Sequence, residues 1–307
     1  MKKKKNVPQK EAEKSERKTD QPLEDIFIRL AGKFPFPLRD GRREALTCAI
    51  LLSAVTLLFL LPFIGKAYHI DDPMYIWVAK HIHLSPFDPY GFTVNWYGLE
   101  EPLWSVMKNP PLVSYYLAAA AAVLGWSEIV MHLALMIPAV AVILGVYSIA
   151  RRLCRQPVHA AVACLCTPVF IVSSTTVMSD ILMLAFWTWS VGLWLRGLDN
   201  SRPGLLASSS LLMALAALTK YYGMALIPLL FVYSLVRKRS LGRWVFYFLI
   251  PIAMLAAYQE YTRLLYGSGL LTEAARFPGM SVSEHYTDFI RVLTGFAFLG
   301  GCTAAAL

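Results

Sequence analysis

"PLVSYYLAAAAAVLGW", residues 111–126, is the stretch on which the topology of this chain turns. Its apolar part, 111–125, is roughly fifteen residues long, short of the ~20 that a helix needs to cross a bilayer. Tyr115 and Tyr116 near its start and Trp126 at its close are placed like interfacial anchors. The segment therefore reads as a helix laid in the membrane surface.

The surrounding sequence shows why one non-crossing segment matters. Of 307 residues, 57% are hydrophobic and 16% charged, which places the chain among all-α polytopic membrane proteins. Its formal net charge of +9 sits in short clusters between apolar segments, the pattern of cytoplasmic loops and not of a nucleic-acid surface. Cys48, Cys154, Cys164, Cys166 and Cys302 lie within or beside apolar runs and suggest neither disulfides nor zinc. Residues 1–44 lack hydrophobic periodicity and read as a disordered, basic cytoplasmic tail, leaving 45–307 as the membrane domain. The first apolar run begins too far along for a cleavable signal and should remain as an anchor. The run at "GGCTAAAL" stops within an apolar stretch, which suggests that the sequence is truncated there.

The apolar segments are 46–65, 111–125, 129–150, 157–176, 180–197, 204–219, 221–236, 243–263 and 290–307. Basic clusters stand at Arg39, Arg42 and Arg43; at Arg151, Arg152 and Arg155; at Arg196 and Arg202; and from Arg237 to Arg243. If all nine segments crossed, the Arg151 cluster would fall outside, against the positive-inside bias. Keeping 111–125 at the outer interface puts every cluster inside. The same parity puts Asp71, Asp72, Glu100, Glu101, Asp180, Lys220 and the polar segment 264–289 outside. Lys220 divides 204–236, because a lone lysine at mid-membrane costs several kcal/mol, so two short helices should turn near "TKYYG".

Three places on that outer face carry chemistry. In "HIDDPMYIWVAKHIH", residues 69–83, Asp72 before Pro73 has the pattern of an N-cap, with Met74, Val78 and Ile82 as one apolar helix face. The cap reading leaves Asp71 unexplained. Two adjacent carboxylates at a membrane surface raise one another's pKa and suit a general base or a metal ligand. In "MKNPPLVSYY", Asn109 caps the interfacial helix behind two prolines, and its N-terminus with Lys108 suits a lipid phosphate. Asp180 and Lys220 are outer-end charges, bland singly and less so on one face.

In their order, "DDPMY", "NPPLVSYY", "YSIARRL", "MSDILMLAFW" and "LTKYYGMALIP" resemble the GT-C superfamily of integral-membrane glycosyltransferases, in the branch of protein O-mannosyltransferases and lipid A aminoarabinose transferases. The resemblance covers residues 46–236. It implies a GT-C-type transmembrane helical bundle with juxtamembrane helices on the outer face of a bacterial inner membrane. It further implies inverting transfer of a sugar from a polyprenyl-phosphate donor to a hydroxyl of a protein, lipid or polysaccharide. Asp71, with Asp72 beside it, would be the catalytic acid pair, and Lys220, Asn109 and Lys108 would face the donor phosphate. Asp180, Glu101 and His285 are further candidates for the acceptor or for a divalent metal, which some relatives bind. The pair here is Asp-Asp in place of Asp-Glu, and Lys108-Asn109 stands where aminoarabinose transferases carry Glu-Lys. The rival reading is a transporter or lipid flippase, but neither mid-membrane charges at broken helices nor repeated halves are evident.

Overall fold

The computed structural model describes residues 41–280, 290 and 293–296, so expectations about residues 1–40, His285 and most of 290–307 lie outside the described residues. The chain divides into two units, residues 1–45 and 46–307. In the first, Gly41 precedes helix α1 (Arg42–Leu60), and its N–H donates to Glu44 Oε2 at 3.1 Å. That is half of a capping box, so the helix starts inside the 1–44 stretch read as a tail.

Among its described residues, the second unit is helical apart from one small hairpin. After α1 come α2 (Asp72–Leu84), β1 (Thr93–Asn95), β2 (Glu100–Pro102) and α3 (Leu103–Val106). Next are α4 (Leu112–Leu124), α5 (Glu128–Leu153), α6 (Pro157–Leu165), α7 (Pro168–Ser174) and α8 (Asp180–Asp199). The described helices end with α9 (Pro203–Thr219), α10 (Leu226–Lys238), α11 (Leu249–Tyr266) and α12 (Leu270–Met280). The strands are antiparallel, with Val94 opposite Glu101.

Among the described residues, three helices are long and apolar enough to cross a membrane: residues 43–63, α5 and α8. The 157–176 segment, expected as one span, is instead broken into α6 and α7 at an angle of 63°. Pro168 supplies the cause, since it has no N–H for the preceding turn, and Thr167 recaps the new helix through Phe170 N–H. Helix α4, at 13 residues, is as short as its sequence implies. It lies along α2, with Ser114 Oγ donating to the Tyr75 carbonyl at 3.0 Å and Trp126 meeting His83 edge-on.

Contacts between helix ends define the two poles of the bundle. At one, Arg152 pairs with Asp199, and Arg237 Nε reaches the same carboxylate at 3.5 Å, joining the last turns of α5, α8 and α10. At the other, His132 near the start of α5 meets the Lys66 carbonyl at 2.8 Å, and Lys220 after α9 meets Asp180 at the start of α8. The interior is apolar in two clusters, one around α2, α4, α5 and the start of α8, the other around Trp194, Trp244 and Phe248. Two polar pairs stand within it: Ser190 and Ser209 bond reciprocally between α8 and α9, and Trp194 Nε1 donates to Ser234 Oγ at 2.7 Å. Such small hydroxyl contacts let membrane helices approach closely.

Candidate active site

The site begins with a strained turn. Ile70 has φ 45°, an unusual conformation for a β-branched residue. The turn delivers the His69 N–H to Asp72 Oδ2 at 2.9 Å, while Asp72 Oδ1 accepts the Val177 N–H at 2.9 Å. Asp72 is fully buried. The cap expected at Asp72 is therefore displaced by one residue: Asp71 occupies the N-cap position, and neither aspartate caps the helix through its side chain. The Asp72 carboxylate is drawn instead to two backbone donors, one from a loop far along the chain. Burial raises its pKa, opposed by those two N–H groups and by His132 and Lys66. Asp71 is left partly exposed and makes no capping bond.

Four residues after Asp71, on the same helix face, stands Tyr75. Its buried hydroxyl lies 3.1 Å from Ser179 Oγ and accepts from Asn109 Nδ2 at 3.0 Å. Burial, reinforced by the charges of Asp180 and Asp71, pushes the Tyr75 phenol up to about 12, against the pull of its hydrogen bonds to Ser179 and Asn109. Tyr75 thus stays neutral at physiological pH and ties α2, the loop before α4 and the start of α8 into one frame. Asp71 and Asp180 are close enough for their charges to act on that phenol.

Asn109 does not cap α4, which starts at Leu112 with Pro111 as its N-cap. Its carbonyl accepts the Tyr90 hydroxyl at 2.7 Å, and its side chain turns to Tyr75. These two contacts hold the residue away from the cap geometry that its sequence neighbours suggested.

The lysine turn closes the site. Lys220 Nζ donates to Asp180 Oδ1 at 2.7 Å and lies 5.7 Å from the centre of the Tyr222 ring. Gly223 makes the turn feasible, because a Cβ there would come within 2.3 Å of the Ala216 backbone. Lys108, Asn109, Tyr221 and Tyr222 line a cavity of about 310 Å3 together with Met224, Leu271, Ala274 and Ala275. A lining that mixes polar and apolar side chains suits a ligand with an anionic head and an apolar tail.

Glu101 stands on the hairpin, apart from these contacts, and His285 lies outside the described residues. Among the described residues no three His, Cys, Asp or Glu side chains are gathered as a metal site. Sequence reasoning passed over Tyr75, Ser179, Tyr221 and Tyr222. Tyr75 stood in the quoted "DDPMY", and its i+4 spacing from Asp71 was the available signal.

Comparison with known proteins bears on the fold. A known family matches just under half of the chain, and two solved membrane-protein structures share its fold. More narrowly, residues 108–259 match the family described as dolichyl-phosphate-mannose-protein mannosyltransferase, a stretch that holds Asn109, Asp180 and Lys220 and begins after Asp71. Among solved structures the chain is similar to ArnT from Cupriavidus metallidurans bound to undecaprenyl phosphate, at 20% identity over 70% of this chain and 40% of ArnT, with a TM-score of 0.53. For ArnT of the same organism in the apo state the values are 19% identity, 78% and 44% coverage and a TM-score of 0.52. At these identities the likeness is one of fold, and the chain spans less than half the length of either solved relative. No curated protein sequence matches the chain.

Proposed function

We propose that this protein transfers a sugar from a polyprenyl-phosphate-linked donor to an acceptor hydroxyl, with inversion at the anomeric carbon. The observation that carries the reading is the frame around the Tyr75 hydroxyl, which Asn109 and Ser179 hold four residues after Asp71 on the same helix, beside a cavity that Lys108 and Asn109 line together with apolar residues. Asp71 is the general base: it takes the proton of the acceptor hydroxyl as that oxygen attacks the anomeric carbon. The bond from carbon to the phosphate oxygen breaks, and its electron pair stays on the lipid phosphate. Lys108 and the second N–H of the Asn109 amide stabilise that charge, and Lys220 adds a cation held in place by Asp180. Asp72, enclosed by two backbone donors, positions Asp71 and does not touch the reacting atoms. Among the described residues, no three His, Cys, Asp or Glu side chains gather as a divalent-metal ligand set.

The basic clusters at the far pole support a cytoplasmic position for that end, which leaves the site on the outer face of a bacterial inner membrane with the donor's tail in the bilayer. The acceptor is a hydroxyl of a protein, lipid or polysaccharide. The test is transfer of radiolabelled sugar from a panel of polyprenyl-phosphate sugars in membranes holding the wild-type or the Asp71→Asn protein. Loss of transfer in a stably inserted mutant supports the base, and full activity in that mutant overturns it. Asp71-dependent lipid flipping without transfer would move the assignment to a flippase.

A further inference from the structure

The pole opposite Asp71 holds a second cavity, of about 440 Å3, that the proposed chemistry leaves unused. It forms where the end of α8 meets the start of α9 and the 3-10 turn Arg243–Phe248. Lys238 and Arg243 line it with Ser201, Trp244 and Tyr247. Arg152 and Arg237 at this pole share the carboxylate of Asp199, whereas Lys238 and Arg243 make no ion pair among the described residues. Two uncompensated cations therefore face one concave space.

The second observation concerns Trp244. Its ring is packed against Phe231 and Phe248, and its buried Nε1–H has no acceptor among the described residues. A buried donor without a partner is unfavourable, so it marks a place where an acceptor is wanted. Gly242 keeps the approach open, since a Cβ there would lie 3.5 Å from that nitrogen. The rim is apolar and outward-facing at Leu241, Phe246 and Leu249, as expected of a surface that meets lipid.

We propose that this cavity binds the phosphate headgroup of an anionic membrane lipid. The phosphate sits between Lys238 and Arg243, the Ser201 and Tyr247 hydroxyls and the indole N–H supply hydrogen bonds, and the acyl chains lie along Phe246 and Leu249. Basic pockets between membrane helices are suited to such headgroups. The proposal is independent of the catalytic reading.

The test is the thermal unfolding midpoint of the purified protein in neutral micelles, titrated with phosphatidylglycerol, phosphatidylcholine or inorganic phosphate. Wild-type protein should show a saturable rise with phosphatidylglycerol alone. At roughly fivefold per cation near an anionic surface, K238Q/R243Q should weaken the apparent affinity about thirtyfold. R155Q/R239Q removes the same charge from the same pole outside the cavity and should keep the response. Midpoints in neutral micelles report whether each variant folds. Absence of a shift, an equal response in every variant, or equal losses in both double variants would overturn the site. An equal shift with inorganic phosphate would overturn the lipid assignment.

Discussion

Asp72 offers the sharpest test of how the acidic turn is built. In Asp72→Asn one oxygen keeps a backbone N–H, while the new NH2 group confronts the other, so one bond is lost and two donors are set against each other. Hydrogen bonds to a charged acceptor contribute about 1.5–3 kcal/mol each, so the net cost should be about 3 kcal/mol after allowing for relief of a buried charge. At about 2–4 °C per kcal/mol for a domain of this size, the unfolding midpoint should fall by about 6–12 °C. The pH dependence sharpens the point. Burial holds the folded carboxyl above its ordinary value, so the folded state binds the proton more tightly than the unfolded one. The corresponding stability is fully present below the unfolded pKa of about 3.9 and is lost as pH rises through the folded value. The mutant lacks this titration, so its deficit should grow as pH falls from 7 towards 4. Thermal melts in detergent, followed by circular dichroism at several pH values, measure both quantities. An unchanged midpoint with abolished sugar transfer would refute the positioning role and make Asp72 itself the base.

Asp71→Asn should leave the midpoint within about 0.5 kcal/mol of wild type while abolishing transfer, because its side chain caps nothing. Tyr75→Phe should cost about 1–2 kcal/mol by freeing Asn109 and Ser179, and should lower transfer efficiency about tenfold by loosening the phosphate wall, read from kcat/KM for the donor. Gly223→Ala drives a Cβ into the α9 backbone, which cannot yield like a side chain, so a loss of about 3 kcal/mol and displacement of Lys220 are expected. An alanine variant that melts like wild type would refute that packing argument.

The local half of this architecture was legible in the sequence. Apolar length marked the spans at 43–63, α5 and α8, the shortness of 111–125 and the break at Lys220, and Met74, Val78 and Ile82 are buried as their spacing implied. What could not be read is long-range. Asp72 looked like a cap because the rule for caps sees four residues, whereas its partner, Val177, is 105 residues away in a loop without periodicity. Asn109 was misjudged for the same reason, since Tyr75 and Tyr90 outbid the local cap. The broken helix was foreshadowed by Thr167-Pro168, but a window of mean apolarity passes over a single missing N–H.

That break has a mechanical consequence. Helix α6 packs against α5, while the far end of α7 runs into the loop that Asp72 fastens to the start of α2. The elbow between them is a compliant joint between a part that rides with the lipid-facing helices and a part anchored to the acidic turn. A tilt of α6 with bilayer thickness is expected to be taken up at this bend, sparing the acidic turn. Straightening the elbow, as Pro168→Ala would favour, should couple transfer rate to lipid chain length in reconstituted vesicles.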